Sequence, residues 1–258
     1  MRALVTGAGH RLGRAMAIYL ANRGFDVAVH YASSSGGAEQ TVAEIKAAGQ
    51  NGVALQANLV DANETEALFG RATGALGGPI TCLINNASIF EYDTMETATR
   101  ESWDRHIGSN LRAPFVLTQQ MALQGLAAAS DKAGEPVATG LIVNMVDQRV
   151  RKLTPEFMTY TIAKMGLWAM TRTTAQALAP AIRVNGIGPG PTLQGGRQSA
   201  EHFAKQRAAT VLGRGANPAD ITGALGYFLD SPAITGQLLC VDGGQHLAWE
   251  TPDVIGVE

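Results

Sequence analysis

Short apolar segments alternate along this chain with longer segments of helical length. The apolar segments are rich in Val, Ile and Leu and lack polar alternation, which is typical of strands buried on both faces of a parallel sheet. Repeated strand–helix alternation predicts a doubly wound α/β fold with helices on both faces of the sheet. The seven predicted strands are residues 2–6, 26–30, 52–56, 80–85, 140–145, 183–186 and 237–241.

The segments between these strands supply the predicted helices and loops. No linker divides the chain, so residues 1–258 are predicted to form one domain. Residues 33–37 are expected to be a βα loop. Residues 192–216 are glycine-rich at their start and lack a clear period, which predicts a mobile substrate lid. The tail after Gly244 is expected either to be disordered or to pack on a partner. The predicted helices are residues 12–23, 38–48, 64–76, 101–129 and 160–178.

Composition narrows the class of protein. Hydrophobic residues make up 46% of the 258 residues and charged residues 16%, which predicts a folded core and argues against a disordered chain. A net charge of −2 gives no electrostatic reason to expect a nucleic-acid or anionic-membrane partner. No apolar run is long enough to span a bilayer, and the N-terminus lacks a signal-peptide pattern, so we expect a cytoplasmic protein. Cys82 and Cys240 lie in apolar runs and are expected to be buried thiols.

A glycine-rich turn follows the first predicted strand and leads into the first predicted helix. It reads TGAGHRLG over residues 6–13. The last glycine comes one position later than in G-x-G-x-x-G, but the strand–turn–helix context is that of a phosphate-binding loop. Arg11 within the turn favours a bound anion. An ordinary glycine-rich βα turn is the alternative.

The second predicted strand ends without the acidic residue that would hold the ribose 2′-hydroxyl of NAD. His30, Tyr31, Ser33 and Ser34 stand there instead. Together with Arg11, the histidine and the serines offer donors suited to a 2′-phosphate, which predicts NADPH rather than NADH as the cofactor. A partly buried structural histidine is the alternative for His30.

Tyr160 and Lys164 lie four residues apart and therefore on one face of a predicted helix. A phenol is a poor acid–base group at neutral pH, and a neighbouring ammonium is expected to lower its pKa. The Y-x-x-x-K spacing alone is weak. It becomes specific together with the glycine turn, NNAS at residues 85–88, Asn110, and GPG at residues 188–190.

These motifs, with RVNGIGPG at residues 183–190 and VDGG at residues 241–244, resemble the short-chain dehydrogenase/reductase family over nearly the whole chain. The resemblance implies a Rossmann-like sheet of about seven strands and a homotetramer. It implies that Tyr160 is the catalytic acid, that Lys164 binds the nicotinamide ribose, and that Asn110 holds a water of the proton relay. The residues expected to contact NADPH are Gly7, Arg11, Leu12, Gly13, His30, Tyr31, Ser33, Ser34, Asn58, Leu59, Asn86, Ala87, Ser88, Tyr160, Lys164, Pro189, Gly190 and Thr192.

Three positions depart from the common family pattern. Arg11 replaces a glycine of the turn, and Asn58 stands where an Asp usually contacts adenine. Asp147 stands 13 residues before Tyr160, where the family usually has its catalytic Ser. An acid at that position suits a substrate that is protonated on a ring nitrogen rather than a simple ketone, so Asp147 joins the expected catalytic residues. A helix cap or loop acid is the alternative for Asp147.

The departures resemble the pteridine reductase branch and the bacterial short-chain dihydromonapterin/dihydrofolate reductases. The shared features are Arg11, the His-Tyr pair after the second strand, NNAS followed by Phe90, and NMVD at residues 144–147. Ser33 is a mismatch, since protozoan pteridine reductases carry an Arg there. The resemblance implies NADPH-dependent reduction of a pterin or dihydropterin by hydride transfer. The residues expected to contact that substrate are Arg11, Ser88, Phe90, Asp147 and Tyr160.

Several alternatives remain open. Phe90 fits either a stacking role or the core, and Arg149 or Arg151 fits either a substrate carboxylate or the solvated surface. A general carbonyl or 3-oxoacyl reductase of the same family is one alternative function, although that chemistry normally uses the missing Ser. A nonenzymatic NADP-binding sensor is another, although it would not need an acid relay. No H-x-x-x-H or G-x-S-x-G motif is present, so neither a metal nor a serine nucleophile is expected.

Overall fold

The computed structural model of the protein describes residues 1–196 and 198–250. In this part of the chain, nine strands, β1 to β9, lie at Arg2–Val5, Asp26–Tyr31, Gly52–Gln56, Cys82–Asn85, Ala129–Ser130, Pro136–Val137, Gly140–Met145, Ile182–Pro189 and Leu238–Val241. Eight α-helices, α1 to α8, lie at Arg11–Asn22, Ser35–Ala47, Ala62–Leu76, Arg100–Ile107, Ala113–Leu123, Met158–Ala177, Ala200–Ala208 and Pro218–Asp230.

The main sheet has seven parallel strands in the order β3-β2-β1-β4-β7-β8-β9. The predicted doubly wound fold is therefore confirmed. The strand order runs outward in both directions from the β1–β4 pair, so the loops after these two strands diverge. In open α/β sheets, this point of divergence at the carboxyl edge forms the ligand crevice.

Burial on both faces of the sheet explains the apolar strands. All six residues of β7 are buried. Val143 points into the core formed with α1 and α8, whereas Ile142 points into the opposite core formed with α3 and α5. Neighbouring strands divide their side chains between the two cores in the same way, which leaves no polar alternation along them.

The predicted single helix over residues 101–129 is wrong. A π-helical turn over Gly108–Arg112 separates α4 from α5, and Pro114 in the first turn of α5 lacks the N–H that an α-helix would donate to Asn110. The helix then ends at Leu123, and Gly125 follows with a left-handed φ of +67°. Residue 129, predicted as helical, lies in the short antiparallel β5–β6 hairpin.

Other boundaries shift by smaller amounts. Helix α2 begins at Ser35, so the predicted loop over residues 33–37 is shorter than expected. Strand β8 covers Ile182–Pro189, so it ends three residues beyond the predicted range of 183–186. Segment 192–216 contains the short helix α7, whose pattern gave no period. Within the described ranges, no helix is long and apolar enough to cross a membrane. The last residues of the tail, 251–258, lie outside the described residues.

Candidate active site

Hydrogen bonds with the neighbouring strand β2 and with the loop after β4 fix the conformation of the glycine turn. Gly7 has a φ of +64°, and its N–H donates to Nδ1 of His30 at 3.0 Å. Asn86 Nδ2 donates to the carbonyls of Thr6 and Gly7 at 2.8 and 3.3 Å, tying the loop after β4 to the loop after β1. These contacts fix the backbone path of the turn at the point where the sheet order reverses.

His30 does not have the role predicted for it. Its ring is almost fully buried, its Nδ1 accepts from Gly7, and its Nε2 lies 3.0 Å from the carbonyl of Ala57. Burial lowers the pKa of His30 to about 4, so the ring is neutral at pH 7. With both nitrogens engaged, His30 shapes the glycine turn and is not a donor for a 2′-phosphate.

A groove of about 340 Å³ lies over the turn and the end of β2. The first turn of α1 contains no acidic residue, and no side chain caps it, so its N–H groups and dipole favour an anion. Among the residues that the structure describes, no Asp or Glu lines this groove. The predicted cofactor residues that line it are Gly7, Arg11, Leu12, Gly13, His30, Tyr31, Ser33, Ser34, Asn58, Leu59, Asn86, Ala87 and Ser88.

Gly13 has no room for a side chain. A Cβ there would lie 2.2 Å from the carbonyl oxygen of Gly7 and 2.6 Å from Asn86 Nδ2. We expect Gly13→Ala to push the turn away from α1, to destabilise the protein by about 1–3 kcal/mol and to weaken nucleotide binding. Urea unfolding and nucleotide titration by fluorescence measure both effects. In Gly70→Ala, the matched control in α3, the Cβ would meet nothing within 4 Å, so an equal loss there would contradict the packing argument.

A second, inner cavity of about 280 Å³ continues from the groove and holds the predicted catalytic group. Tyr160 donates from its hydroxyl to Oδ2 of Asp147 at 2.7 Å, and Oδ1 of Asp147 accepts from the N–H of Arg149 at 2.8 Å. The 13-residue spacing read from the sequence therefore corresponds to a direct contact between the end of β7 and α6. Lys164 donates from Nζ to the carbonyl of Met145 at 2.7 Å.

The electrostatics of Tyr160 differ from the prediction. Burial raises the pKa of Tyr160 well above its usual value, and the charge of Asp147 and the hydrogen bond to it raise the pKa further. Lys164 does not reverse this shift, because its Nζ lies 5.6 Å from the Tyr160 ring centroid and bonds elsewhere. Burial also lowers the pKa of Lys164 to about 8, although Asp147 opposes the shift. In this arrangement Tyr160 is a protonated donor, and Lys164 remains largely cationic at neutral pH.

Asn110 is completely buried in the π-helical turn. Its side-chain oxygen accepts from the N–H of Ile89, and its amide donates to the carbonyl of the same residue, each at 2.8 Å. Both ends of the side chain therefore position the loop after β4. The role of Asn110 in holding a relay water stays a prediction.

Aromatic rings form one wall of the site. Phe90 stacks on Phe157 with ring centroids 4.3 Å apart, and it meets Tyr160 edge-on at 4.7 Å. One face of Phe90 is therefore covered by protein, and stacking on a flat substrate, as predicted, is restricted to the remainder of the ring. Sequence reasoning missed Phe157, which has a left-handed φ of +55° immediately before α6. Its position three residues before Tyr160 is the only signal the sequence contains.

Arg11 also has a left-handed φ, +55°, at a position where the family usually has glycine. Its guanidinium donates to the carbonyls of Leu193 and Gln194 at 3.0 and 2.7 Å. The predicted contacts of Arg11 with phosphate or substrate would require these bonds to be exchanged. Arg11 lines all three cavities of the site, so it links the glycine turn to segment 192–216.

Segment 192–216 is closed at its base by Arg207. One nitrogen, Nη1, donates to the carbonyls of Pro191 and Ala216 at 2.9 and 2.6 Å, one at each end of the segment. Helix α7 within the segment has no buried residue. A weakly packed helix with a fixed base is consistent with a lid, and lid movement stays a prediction. Arg207 has no distinguishing sequence motif, so the sequence did not reveal this clamp.

The segment covers an outer cavity of about 830 Å³. Of the remaining predicted residues, Pro189 and Gly190 line both the inner and the outer cavity, and Thr192 lines the outer one. Gly190 packs closely on Asp242 of the VDGG motif, since a Cβ added at Gly190 would lie 2.6 Å from the Cα of Asp242. The structure thus brings the predicted residues other than Asn110 into one continuous trough.

A buried polar network beneath Tyr160 was not predicted. His106 Nδ1 lies 2.7 Å from Oγ1 of Thr159, and Oδ1 of Asp93 accepts from the N–H of Thr159 at 3.2 Å. These contacts join the loop after β4 to the first turn of α6 and so locate Tyr160. Their residues are far apart in sequence and share no motif. In the described ranges, no group of three or more His, Cys, Asp or Glu side chains is placed to hold a metal.

Known proteins are similar to this chain in sequence and in fold. Residues 7–246 match the family described as enoyl-(acyl carrier protein) reductase. The 3-oxoacyl-[acyl-carrier-protein] reductase FabG of Staphylococcus aureus is 32% identical over 250 residues, which are 95% of this chain and 98% of that protein. The solved structure of FolM alternative dihydrofolate reductase 1 from Brucella suis in complex with NADP is 42% identical, covers 98% of both chains and has a TM-score of 0.89. The corresponding Brucella canis structure, also complexed with NADP, is 40% identical and has a TM-score of 0.88, covering 98% of this chain and 97% of that one. With its parallel sheet and its Tyr-Lys helix, this chain belongs to the short-chain dehydrogenase/reductase family.

Proposed function

We propose that the protein is an NADPH-dependent reductase of a pterin or dihydropterin. The observation that carries the proposal is the hydrogen bond from Tyr160 to Asp147, which puts a carboxylate where a ketone reductase of this family usually has a hydroxyl. A pterin ring presents N–H and amine donors that a carboxylate can accept. The similarity to the FolM dihydrofolate reductases supports the same substrate class.

The groove over the glycine turn suits a dinucleotide that carries a 2′-phosphate. Ser33 and Ser34 line it at the end of β2, and the hydroxyl of Ser34 makes no capping bond to α2. The first turn of α2 has no acidic residue and therefore favours a nearby anion. The side-chain oxygen of Asn58 accepts from the N–H of Val60, so its amide N–H groups are the ones we expect to contact the adenine. Crystals of the Brucella relatives contain NADP, which supports this assignment.

The residues of the inner cavity account for the proton part of the reduction. Bound NADPH supplies hydride to the carbon of a C=N bond. Tyr160 is protonated and buried, so it can deliver a proton toward the ring nitrogen, directly or through Asp147. Asp147 orients the pterin ring by accepting hydrogen bonds from its N–H groups. Lys164, cationic and 5.6 Å from the ring centroid of Tyr160, favours negative charge left on this pair, and we expect it to bind the nicotinamide ribose.

Cofactor oxidation tests the proposal directly. We expect NADPH to be oxidised with 7,8-dihydrobiopterin, dihydromonapterin or dihydrofolate, and a kcat/KM for NADPH above that for NADH. Simple ketones and acetoacetyl thioesters serve as comparison substrates. A higher kcat/KM for NADH would contradict the cofactor assignment.

A 3-oxoacyl reductase is the second candidate, because the curated relatives include the FabG proteins at 32% identity. Rapid turnover of acetoacetyl thioesters with no turnover of any pterin would favour this candidate. Asp147 argues against it, since a carboxylate repels the developing oxyanion of a ketone and cannot stabilise it as a hydroxyl does.

A further inference from the structure

The outer cavity is larger than a ring bound in the inner cavity requires. Its volume is about 830 Å³, against about 280 Å³ for the inner cavity, and the two share Asp147 and Pro189. Both lie within a single trough beneath segment 192–216. A substrate whose ring reacts in the inner cavity therefore has room for a substituent that extends outward.

Charge in the outer cavity is one-sided. Its lining includes Arg11, Arg149 and two histidines, and among the described lining residues Asp147 is the one acid. Both carboxylate oxygens of Asp147 already accept hydrogen bonds, from Tyr160 and from the N–H of Arg149. Arg11 is engaged with main-chain carbonyls at the start of segment 192–216. Arg149 is thus the cation best placed to meet an anionic substituent.

Arg149 is held in place but not saturated. Its guanidinium carbon lies 5.0 Å from the centroid of Phe157, and Nη1 donates to Oγ1 of Thr154. Its Nε is buried and has no hydrogen-bond partner within the described chain. The neighbouring Gln148 is only 8% exposed, lines the same cavity, and has a buried side-chain oxygen that likewise lacks a partner there. Buried polar groups without partners are costly, and a bound ligand or an ordered water is one way in which such groups gain a partner.

We propose that Arg149 and Gln148 form a subsite for a carboxylate-bearing tail on the substrate. Arg149 binds the carboxylate as a planar, stacked donor, and Gln148 offers its amide to polar groups between the ring and the carboxylate. This inference rests on the proposed function for the identity of the ring. It implies that the enzyme prefers pterins that carry such a tail over pterins that lack one.

Binding of the tail alone tests the subsite without any turnover. We expect p-aminobenzoyl-glutamate to bind the wild-type protein saturated with NADP⁺, measured by calorimetry, more tightly than p-aminobenzamide, which lacks the carboxylates. Arg149→Gln should lower the affinity for p-aminobenzoyl-glutamate by about tenfold or more, because a charge-assisted pair is lost. Arg149→Lys should retain part of the affinity, since it keeps the charge but not the fork.

Arg151→Gln is the matched control, because it removes the same charge from an exposed residue of the same 3₁₀ turn. We expect its affinity for the fragment to stay within about twofold of wild type, since exposed charges are screened. Equal losses in Arg149→Gln and Arg151→Gln would overturn the subsite. Arg149-dependent binding of 4′-phosphopantetheine, without binding of p-aminobenzoyl-glutamate, would overturn the carboxylate assignment and favour a thioester substrate.

Turnover separates this inference from the proposed function. We expect Arg149→Gln to lower the ratio of kcat/KM for dihydrofolate to that for 7,8-dihydrobiopterin by about tenfold. An unchanged ratio in an enzyme that reduces both substrates would overturn the subsite and leave the proposed function standing. Arg149-dependent fragment binding in an enzyme that reduces no pterin would support the subsite and remove the proposed function. Unfolding curves of each variant establish that it is folded, and Arg149→Lys serves if Arg149→Gln is not.

Discussion

Tyr160→Phe is expected to lower kcat by about 10²–10⁴-fold, because the hydroxyl that delivers the proton is removed while the ring is kept. Cofactor affinity should stay within about threefold, since this hydroxyl acts mainly in the transition state. The relevant measurements are steady-state turnover and fluorescence titration with NADPH. The hydrogen bond from Tyr160 to Asp147 also disappears, so some loss of stability is expected in unfolding curves.

Tyr227→Phe provides the matched control for this substitution. Tyr227 lies half-exposed on α8 and lines none of the three cavities formed by the described residues. Removal of the Tyr227 hydroxyl should leave kcat essentially unaltered. Substantial turnover by Tyr160→Phe would remove Tyr160 from the acid role and direct attention to Asp147 itself.

Asp147→Ala is expected to lower pterin turnover by about 10²-fold or more, because both the ring acceptor and the partner of Tyr160 are lost. Asp147→Ser is the sharper test. Serine can still accept the N–H of Arg149 and cap the short 3₁₀ turn, so the local backbone is preserved. We expect this variant to shift preference from pterins toward carbonyl substrates. Side-by-side turnover of both substrate types measures the shift.

The pH profile gives Asp147→Ser a second readout. Burial and the negative charge of Asp147 raise the pKa of Tyr160, and Asp147 also raises the pKa of Lys164 against the effect of burial. Removing the carboxylate lowers both pKa values. Because Tyr160 acts as an acid and Lys164 as a cation, activity is lost as pH rises through either pKa. The alkaline limb of kcat should therefore move to lower pH.

If wild type and Asp147→Ser reduce ketones equally and neither reduces a pterin, the protein is a general carbonyl reductase.

The parallel sheet was predictable because each strand is buried on both faces and is therefore uniformly apolar. The contact between Asp147 and Tyr160 was predictable in the same way, because both residues lie at the carboxyl edge of that sheet, at the end of β7 and in the first turn of α6. The long predicted helix failed because apolar periodicity continues across the π-helical turn at Asn110, while the break depends on Pro114. Local sequence pattern identifies such elements but not the hydrogen bonds within them.

The less predictable features depend on three-dimensional neighbours. His30 was expected to be a donor, and it became a buried acceptor because Gly7 and Ala57 close on its two nitrogens. The pKa of Tyr160 was expected to fall because Lys164, four residues away in the sequence, carries a positive charge. Burial and Asp147 raise the pKa of Tyr160 instead, and only the packed structure shows how completely the phenol is enclosed.

The Arg207 clamp has a consequence for how proteins of this kind diversify. Segment 192–216 supplies much of the outer cavity wall, and within the described part of the chain it supplies none of the groove over the glycine turn. Because one guanidinium joins its two ends, changes inside the segment need not disturb β8 or α8 on either side. Substitutions in the segment that keep Arg207 and the main-chain contacts of Arg11 can therefore change the wall of the outer cavity, and with it the substrate range, while both ends of the segment stay in place.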